Sequence, residues 1–158
     1  MEVGQLALLK RLLVERRLLS LAVVADAKPV AGLLPFAATE DFAALIVHAS
    51  RLARHAAGLR DGAPFDALIH AGEEAAEDPL AVPRVTLQGH VRFLPPESPE
   101  AASARSLYLA KLPSAEMVLE LGGFRFCRLE LEEGRLVAGF GQAFTVSRET
   151  LGELRALA

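Results

Sequence analysis

Cysteine is almost absent from this sequence, and its scarcity excludes two kinds of site. Cys127 is the only cysteine among 158 residues, so the chain can form neither an internal disulfide framework nor a zinc site built on cysteine. A strong charge of one sign is missing as well. The formal net charge is −3, which gives no basic field to attract nucleic acid or an anionic membrane. Any anion site must therefore be local.

Long apolar runs and low-complexity tracts are also lacking. No run approaches the roughly 20 residues of a membrane-spanning helix, and the opening MEVGQLALLKRLLVERR has no small-residue cleavage site typical of a signal peptide. We therefore expect a cytoplasmic protein. Hydrophobic residues make up 52% of the chain, and its length favours a single domain, 1–158, with one substantial core.

Short apolar segments separated by turn residues indicate antiparallel strands. The first three are LLSLAVVA, VAGLLPFA and AALIVHA, and the turns between them are too short for a parallel crossover. Pro35 indicates a sheet edge or an interruption, because proline cannot donate a ladder hydrogen bond. Helices are predicted over the N-terminal leucine stripe, at 51–59, and after Ser98 and Ser147. About six or seven strands with peripheral helices make the predicted fold α+β, most economically a small antiparallel barrel.

Two later segments carry predictions of their own. RVTLQGHVRFL is predicted to be a long strand in which Gly89 marks a bulge or a close backbone approach. FRFCRLELEEGRLVAGF is predicted to be a hairpin about residues 133–134. Alternation along its first half places Cys127 in the core and leaves Phe124 and Phe126 on the outer face, where a partner subunit could cover them. A bulge near Cys127 is the alternative.

The stretch HASRLARHAAGL, residues 48–59, is the candidate for an anion site. Ser50 stands between a strand and the predicted helix, so it is suited to be the N-cap. A helix N-terminus offers unpaired N–H groups and a positive dipole end, which together bind phosphate. Arg51 can add a two-pronged donor, and His55 lies one turn further on the same face. The alternative is an ordinary capped helix with a solvated basic face.

Motifs for metal binding and side-chain catalysis are missing. The histidines sit apart and have no cysteine beside them, and the acidic loop GEEAAED lacks the order of an EF-hand. There is no GxSxG motif, and GFGQA does not open a helix after a parallel strand as a dinucleotide fingerprint does. The sequence therefore predicts neither a metal site nor a catalytic residue.

Four segments in order, GLLPFA, SRLARH, DPLAVPRVTLQG and AGFGQAF, resemble the FMN-binding split-barrel superfamily of pyridoxamine-phosphate oxidase, in particular its heme-utilisation-type relatives. The likeness covers roughly residues 10–146. It implies a homodimer of split β-barrels with FMN held in clefts between the subunits. The implied function is a flavin-dependent oxidoreductase of unknown substrate, in which the flavin does the redox chemistry. The alternative is a non-enzymatic protein of the same fold that binds or senses a flavin or heme; a deazaflavin in place of FMN is a further possibility.

The resemblance also implies the residues of a phosphate site. The turn Ser50-Arg51-Leu52 matches the family's flavin phosphate site, and His48 ends the strand that leads to it. His55 joins this predicted set by its helical spacing from Arg51 and not by the resemblance.

The remaining implied residues would contact the flavin ring. The backbone at Leu34 and Pro35 would line the isoalloxazine, and Arg84 would make a polar contact from its strand. Phe140 would close over the cofactor from the partner subunit.

The chain departs from the family pattern at several positions. Gly58 stands where the family commonly has asparagine, and Leu52 stands where the oxidases proper have a lysine. The oxidases' substrate-phosphate residues have no clear match, so pyridoxamine phosphate is not assigned as substrate. The segment after Phe140 contains no histidine, which argues against heme breakdown.

Overall fold

A computed structural model describes residues 1–50, 52–120 and 123–157, and over these residues seven strands and four α-helices are present. The strands are β1 (Leu18–Ala25), β2 (Lys28–Ala38), β3 (Ala44–Ser50), β4 (Pro64–His70), β5 (Arg84–Phe93), β6 (Phe124–Gly139) and β7 (Gln142–Ser147). The helices are α1 (Val3–Glu15), α2 (Pro99–Lys111), α3 (Glu116–Glu120) and α4 (Arg148–Glu153).

Pairing between β3 and β6 closes the first six strands into a barrel. The strand order is β3-β2-β1-β4-β5-β6-β7, every pairing is antiparallel, and β3 also pairs with β6. The predicted α+β fold, an antiparallel split barrel of six to seven strands with peripheral helices, is confirmed. No helix in the described part of the chain is both long and apolar enough to cross a membrane.

The barrel is split between β2 and β3. Only Phe36–Ala38 of β2 pair with β3, whereas the preceding residues of β2 pair with β1 alone. The N–H of Phe36 donates to the Arg17 carbonyl, so the nitrogen of Pro35 faces the gap and no ladder bond is lost there. Pro35 therefore marks an edge, as predicted. We call the gap between residues 29–35 of β2 and residues 48–50 of β3 the seam.

Side-chain alternation along β6 follows the predicted pattern. Cys127 and Leu129 are completely buried in the barrel core, and the pairing with β3 and β5 runs through Cys127 without a break. A bulge near Cys127 is therefore wrong. Phe124 and Phe126 point to the outer face, where the chain's own helix α2 packs Tyr108 against Phe126.

The predicted bulge in β5 and the predicted helix starts after Ser98 and Ser147 are confirmed. The register between β5 and β6 shifts between Gln88 and Gly89. Ser98 accepts a hydrogen bond from the Ala101 N–H at the start of α2, and Ser147 accepts one from the Thr150 N–H at the start of α4.

The helix predicted over 51–59 is wrong. The described residues form a single turn of 3₁₀ helix, Arg54–Ala57, which begins after Ala53 and ends at Gly58. Ser50 is still paired with Phe124 as the last residue of β3, so it cannot be the N-cap of that turn. The strand ladder therefore holds the residue that was expected to cap the helix.

The hairpin predicted about residues 133–134 is also wrong. β6 continues without a turn to Gly139, and the chain reverses at residues 140–141. Gly134 lies opposite Leu87 within the ladder, and a Cβ there would collide with the Thr86 carbonyl oxygen. This glycine permits a close approach between strands and does not form a turn.

Candidate functional site

Strand alternation sorts the predicted residues at the seam into an inner set and an outer set. Leu34 is 3% exposed and belongs to the barrel core, so only its backbone can face a surface ligand. Pro35 follows it in β2 and points outward. On the other side of the seam, His48 and Ser50 point outward from β3. The fold thus brings Pro35, His48 and Ser50 to one outer face.

His48 stands against aromatic rings on this face. Its imidazole is stacked on Phe124 with ring centroids 4.6 Å apart and 8° between the planes. Phe126 lies 4.7 Å and Tyr108 5.9 Å from the imidazole, both in tilted arrangements. Burial lowers the pKa of His48 to about 4, so the ring is neutral at pH 7. No hydrogen bond from either nitrogen to another described residue is found, and neither is a buried atom without a partner.

Ser50 forms a short turn into the loop that follows β3. Its hydroxyl oxygen accepts a hydrogen bond of 3.2 Å from the Leu52 N–H, which leaves the hydroxyl proton free to donate. The Leu52 side chain is 96% exposed. Arg51, the predicted cationic contact to phosphate, lies outside the described residues.

His55 lies on the inner side of the seam. Its imidazole packs against Gly32 of β2, where a Cβ would overlap the ring. Gly32 shares the inward orientation of Leu34, so the ring fills the seam from within the barrel. Burial lowers the pKa of His55, which favours the neutral form. The structure therefore separates His55 from the outer face that carries His48.

Arg84 is tied to the loop that precedes β5. Its Nη1 atom donates to the carbonyl oxygens of Leu80 (3.2 Å) and Val82 (3.0 Å). Arg84 pairs with His70 of β4, and the registers place it in one outward row with Pro35, three strands away. At about 4.8 Å per strand this separation is roughly 14 Å.

Phe140 lies farther still from the seam. It occupies the turn between β6 and β7, beyond the pair formed by Arg84 and Val137, and is 75% exposed. Within one chain, the predicted residues therefore form a seam group and a distant group of Arg84 and Phe140.

The sequence did not identify two residues of this face. Phe124 and Tyr108 form the aromatic wall around His48, although neither was predicted as a site residue. The alternation along β6 had placed Phe124 on the outer face, which was the available signal. Tyr108 comes from α2, and no local pattern shows which strand that helix covers.

A metal centre finds no support in the described residues. No group of three or more His, Cys, Asp or Glu side chains among them is arranged to hold a metal ion. The described side chains that the seam offers to a ligand are instead flat aromatic rings, one neutral imidazole and one hydroxyl.

Solved structures share this fold. A heme binding protein from Mycobacterium smegmatis matches with a TM-score of 0.82 and 24% identity, over 97% of this chain and 62% of that protein. HutZ, the heme storage protein from Vibrio cholerae, matches with a TM-score of 0.62 and 20% identity, over 92% of this chain and 94% of that one. An FAD and heme binding protein from M. smegmatis matches with a TM-score of 0.64 and 20% identity, over 92% and 76%.

These comparisons confirm the predicted resemblance at the level of the fold: the chain has the barrel fold of these heme binding and FAD and heme binding proteins. The chain spans 62% of the length of the first structure. No family model and no curated protein matches the sequence.

Proposed function

We propose that this chain binds FMN on the outer face of the seam, that a homodimer completes the site, and that the protein is a flavin-dependent oxidoreductase. The observation that carries the proposal is the flat aromatic wall, in which His48 is stacked on Phe124 beside the free hydroxyl proton of Ser50. Proteins of the same fold that bind FAD and heme add support. The substrate is not assigned.

The described residues fit the ring of a flavin more fully than its phosphate. The stacked wall offers a planar apolar surface for an isoalloxazine, and Ser50 offers a donor for a phosphate oxygen. His48 and His55 are neutral, so neither supplies a positive charge. We therefore assign the positive charge at the phosphate to Arg51. When bound, the flavin would supply the redox chemistry, and the chain would bind it, orient it and exclude water.

Titration with FMN and with riboflavin, which lacks the phosphate, tests the phosphate site. We expect the wild type to prefer FMN by about two orders of magnitude, since several charged hydrogen bonds of roughly 1.5–3 kcal/mol each would be lost with riboflavin. Arg51→Ala should erase much of that preference and leave riboflavin binding nearly unchanged. Equal affinities of the wild type for the two flavins would contradict the proposal.

Two further arginines provide a matched comparison in the same titration. Arg84→Ala should weaken flavin affinity much more than Arg54→Ala, because Arg54 is an exposed side chain on a short surface turn. Equal losses of flavin affinity in the two variants would mean that the arginines attract the flavin through their combined charge and not through specific contacts.

A separate assay distinguishes an enzyme from a protein that only binds the flavin. It measures turnover with a reduced nicotinamide as electron donor.

Heme is the second candidate ligand, and the state of His48 favours it. A neutral imidazole with no hydrogen bond to another described residue is the form that ligates heme iron. Addition of hemin should then give a Soret band whose position shifts in His48→Ala. A Soret spectrum identical in the wild type and the variant would exclude His48 as the ligand.

A further inference from the structure

Apart from the seam, a cleft opens at the end of the barrel where β3 and β5 end and β6 begins. It has a volume of about 490 Å³. Its walls include Ala49 near the end of β3, Phe93 at the end of β5, and Cys127 near the start of β6. Ala49 and Cys127 belong to the barrel core, and Phe93 packs against it. We call this cleft the barrel mouth.

The barrel mouth and the outer face of the seam lie on opposite faces of the same sheet. Ala49 stands between His48 and Ser50 in β3, so it points inward where they point outward. Cys127 is the inward neighbour of Phe126 in the same way. A ligand in the barrel mouth would therefore not touch the aromatic wall around His48.

The wall of the barrel mouth is apolar. Leu52 and Ala53 line it before the 3₁₀ turn, Ala56 and Ala57 line it within the turn, and the buried Leu59 follows. Mouths of β-barrels are frequent ligand sites, and a volume of about 300–1,000 Å³ is usual for them. The barrel mouth lies within that range.

Two arginines supply the charge of the barrel mouth. Arg54 and Arg125 line it, and no acidic side chain is found among its described lining residues. The guanidinium of Arg125 lies over the Phe93 ring at 5.7 Å, which holds it at the opening. Neither arginine forms an ion pair with another described residue. The barrel mouth thus combines an apolar interior with two unneutralised cations.

We propose that the barrel mouth binds an apolar monocarboxylate, the chemistry of a medium-chain fatty acid. The acyl chain would lie against the alanine-lined wall and Leu59. The carboxylate would lie between Arg54 and Arg125, each donating a charge-assisted hydrogen bond. This site is distinct from the proposed flavin ring site, because its core residues lie on the inner face of the barrel. It adjoins the predicted phosphate turn at Leu52, whose N–H donates to the Ser50 hydroxyl oxygen.

Calorimetric titration of the intact protein with decanoate tests the site, with uncharged decanol as the matched ligand. Decanoate should bind saturably at one site per chain and more tightly than decanol. Arg54→Gln and Arg125→Gln should each weaken decanoate roughly tenfold or more and leave decanol nearly unchanged. Arg60→Gln, an exposed arginine outside the barrel mouth, is the control and should bind decanoate like the wild type.

A filling variant gives a second, independent readout. Ala57→Leu, at an exposed position of the 3₁₀ turn, should abolish binding of both ligands while thermal unfolding stays cooperative. Equal affinities for decanoate and decanol, or decanoate binding unaffected by both arginine variants, would overturn the proposal. Displacement of decanoate by FMN would also overturn it, since the ligands would then share one site. Failure of decanoate to bind would overturn it as well, and the flavin titration would remain a separate test of the proposed function.

Discussion

Gly89 shows how a single residue can decide the approach of two strands. A Cβ at this position would collide with the backbone carbonyl oxygen of Glu130, and backbone cannot move aside as a flexible side chain can. We expect Gly89→Ala to lower the free energy of unfolding by about 1–3 kcal/mol or more, measured by urea denaturation.

Gly152 in α4 is the matched control for this substitution. A Cβ there would meet no atom within 4 Å, so Gly152→Ala should leave stability unchanged or raise it by about 0.5–1 kcal/mol through helix propensity. Similar effects of the two substitutions would show that loss of glycine flexibility, and not the collision, determines stability.

His48 links stability to mildly acidic pH. Burial lowers its pKa from the ordinary 6.5 to about 4. Between pH 6.5 and pH 4 the unfolded chain binds a proton at this histidine that the folded chain does not. The contribution of neutral His48 to the free energy of unfolding is therefore complete above pH 6.5 and is lost as the pH falls through 4. In His48→Phe, the decline in unfolding free energy between pH 7 and pH 4.5 should be smaller than in the wild type. An equal decline would assign the acid sensitivity to other groups.

At the scale of elements, Lys111 joins the two longest helices to the barrel. From the end of α2, its Nζ atom donates to the carbonyl oxygen of Leu13 in the last turn of α1 at 3.0 Å. The same atom lies 3.9 Å above the Phe36 ring of β2. Burial lowers the pKa of Lys111 from 10.5 to about 8, although these two contacts favour the charged form.

This lowered pKa predicts a rise in stability at alkaline pH. Between pH 8 and 10.5 the unfolded chain retains the proton that the folded chain releases, so the free energy of unfolding should increase with pH over this window. Lys111→Met should remove that increase in urea denaturation curves at pH 8 and pH 10. A parallel pH dependence in the variant would contradict it.

The elements that the sequence predicted correctly are those with local signals. β1 has the predicted bounds, 18–25, because an apolar run ends at a turn with positive φ at Asp26 and Ala27. Ser98 and Pro99 mark the start of α2 by capping chemistry that needs no distant partner. Gly134 allows a neighbouring strand to approach closely, and the sequence alone cannot distinguish this role of a glycine from a turn.

The same distinction separates the predicted and the missed parts of the candidate site. Pro35, His48 and Ser50 meet because β2 and β3 are consecutive antiparallel strands of one meander, and strand alternation gives their direction. Tyr108 reaches His48 only because α2 crosses back over β3. The sequence of α2 does not indicate which strand the helix covers.

At the scale of the whole molecule, the predicted cofactor contacts that point outward occupy separate parts of the surface. The seam group lies roughly 14 Å from Arg84 by strand spacing, and Phe140 lies beyond it with 75% of its surface exposed. Leu33, beside the seam, is 65% exposed. Apolar side chains of this kind are suited to contact between subunits.

A homodimer is the assembly that can bring the two groups together. A two-fold axis makes the same patches of both copies meet, so Phe140 of the partner subunit could lie over the seam of the first. We expect light scattering at micromolar concentration to give the mass of a dimer. Phe140→Ser should weaken FMN binding although the residue is far from the seam of its own chain, and Leu80→Ser, an equally exposed apolar position with 63% exposure, should not. A monodisperse monomer that binds FMN as tightly as expected would refute the shared site, because all contacts would then have to come from one chain.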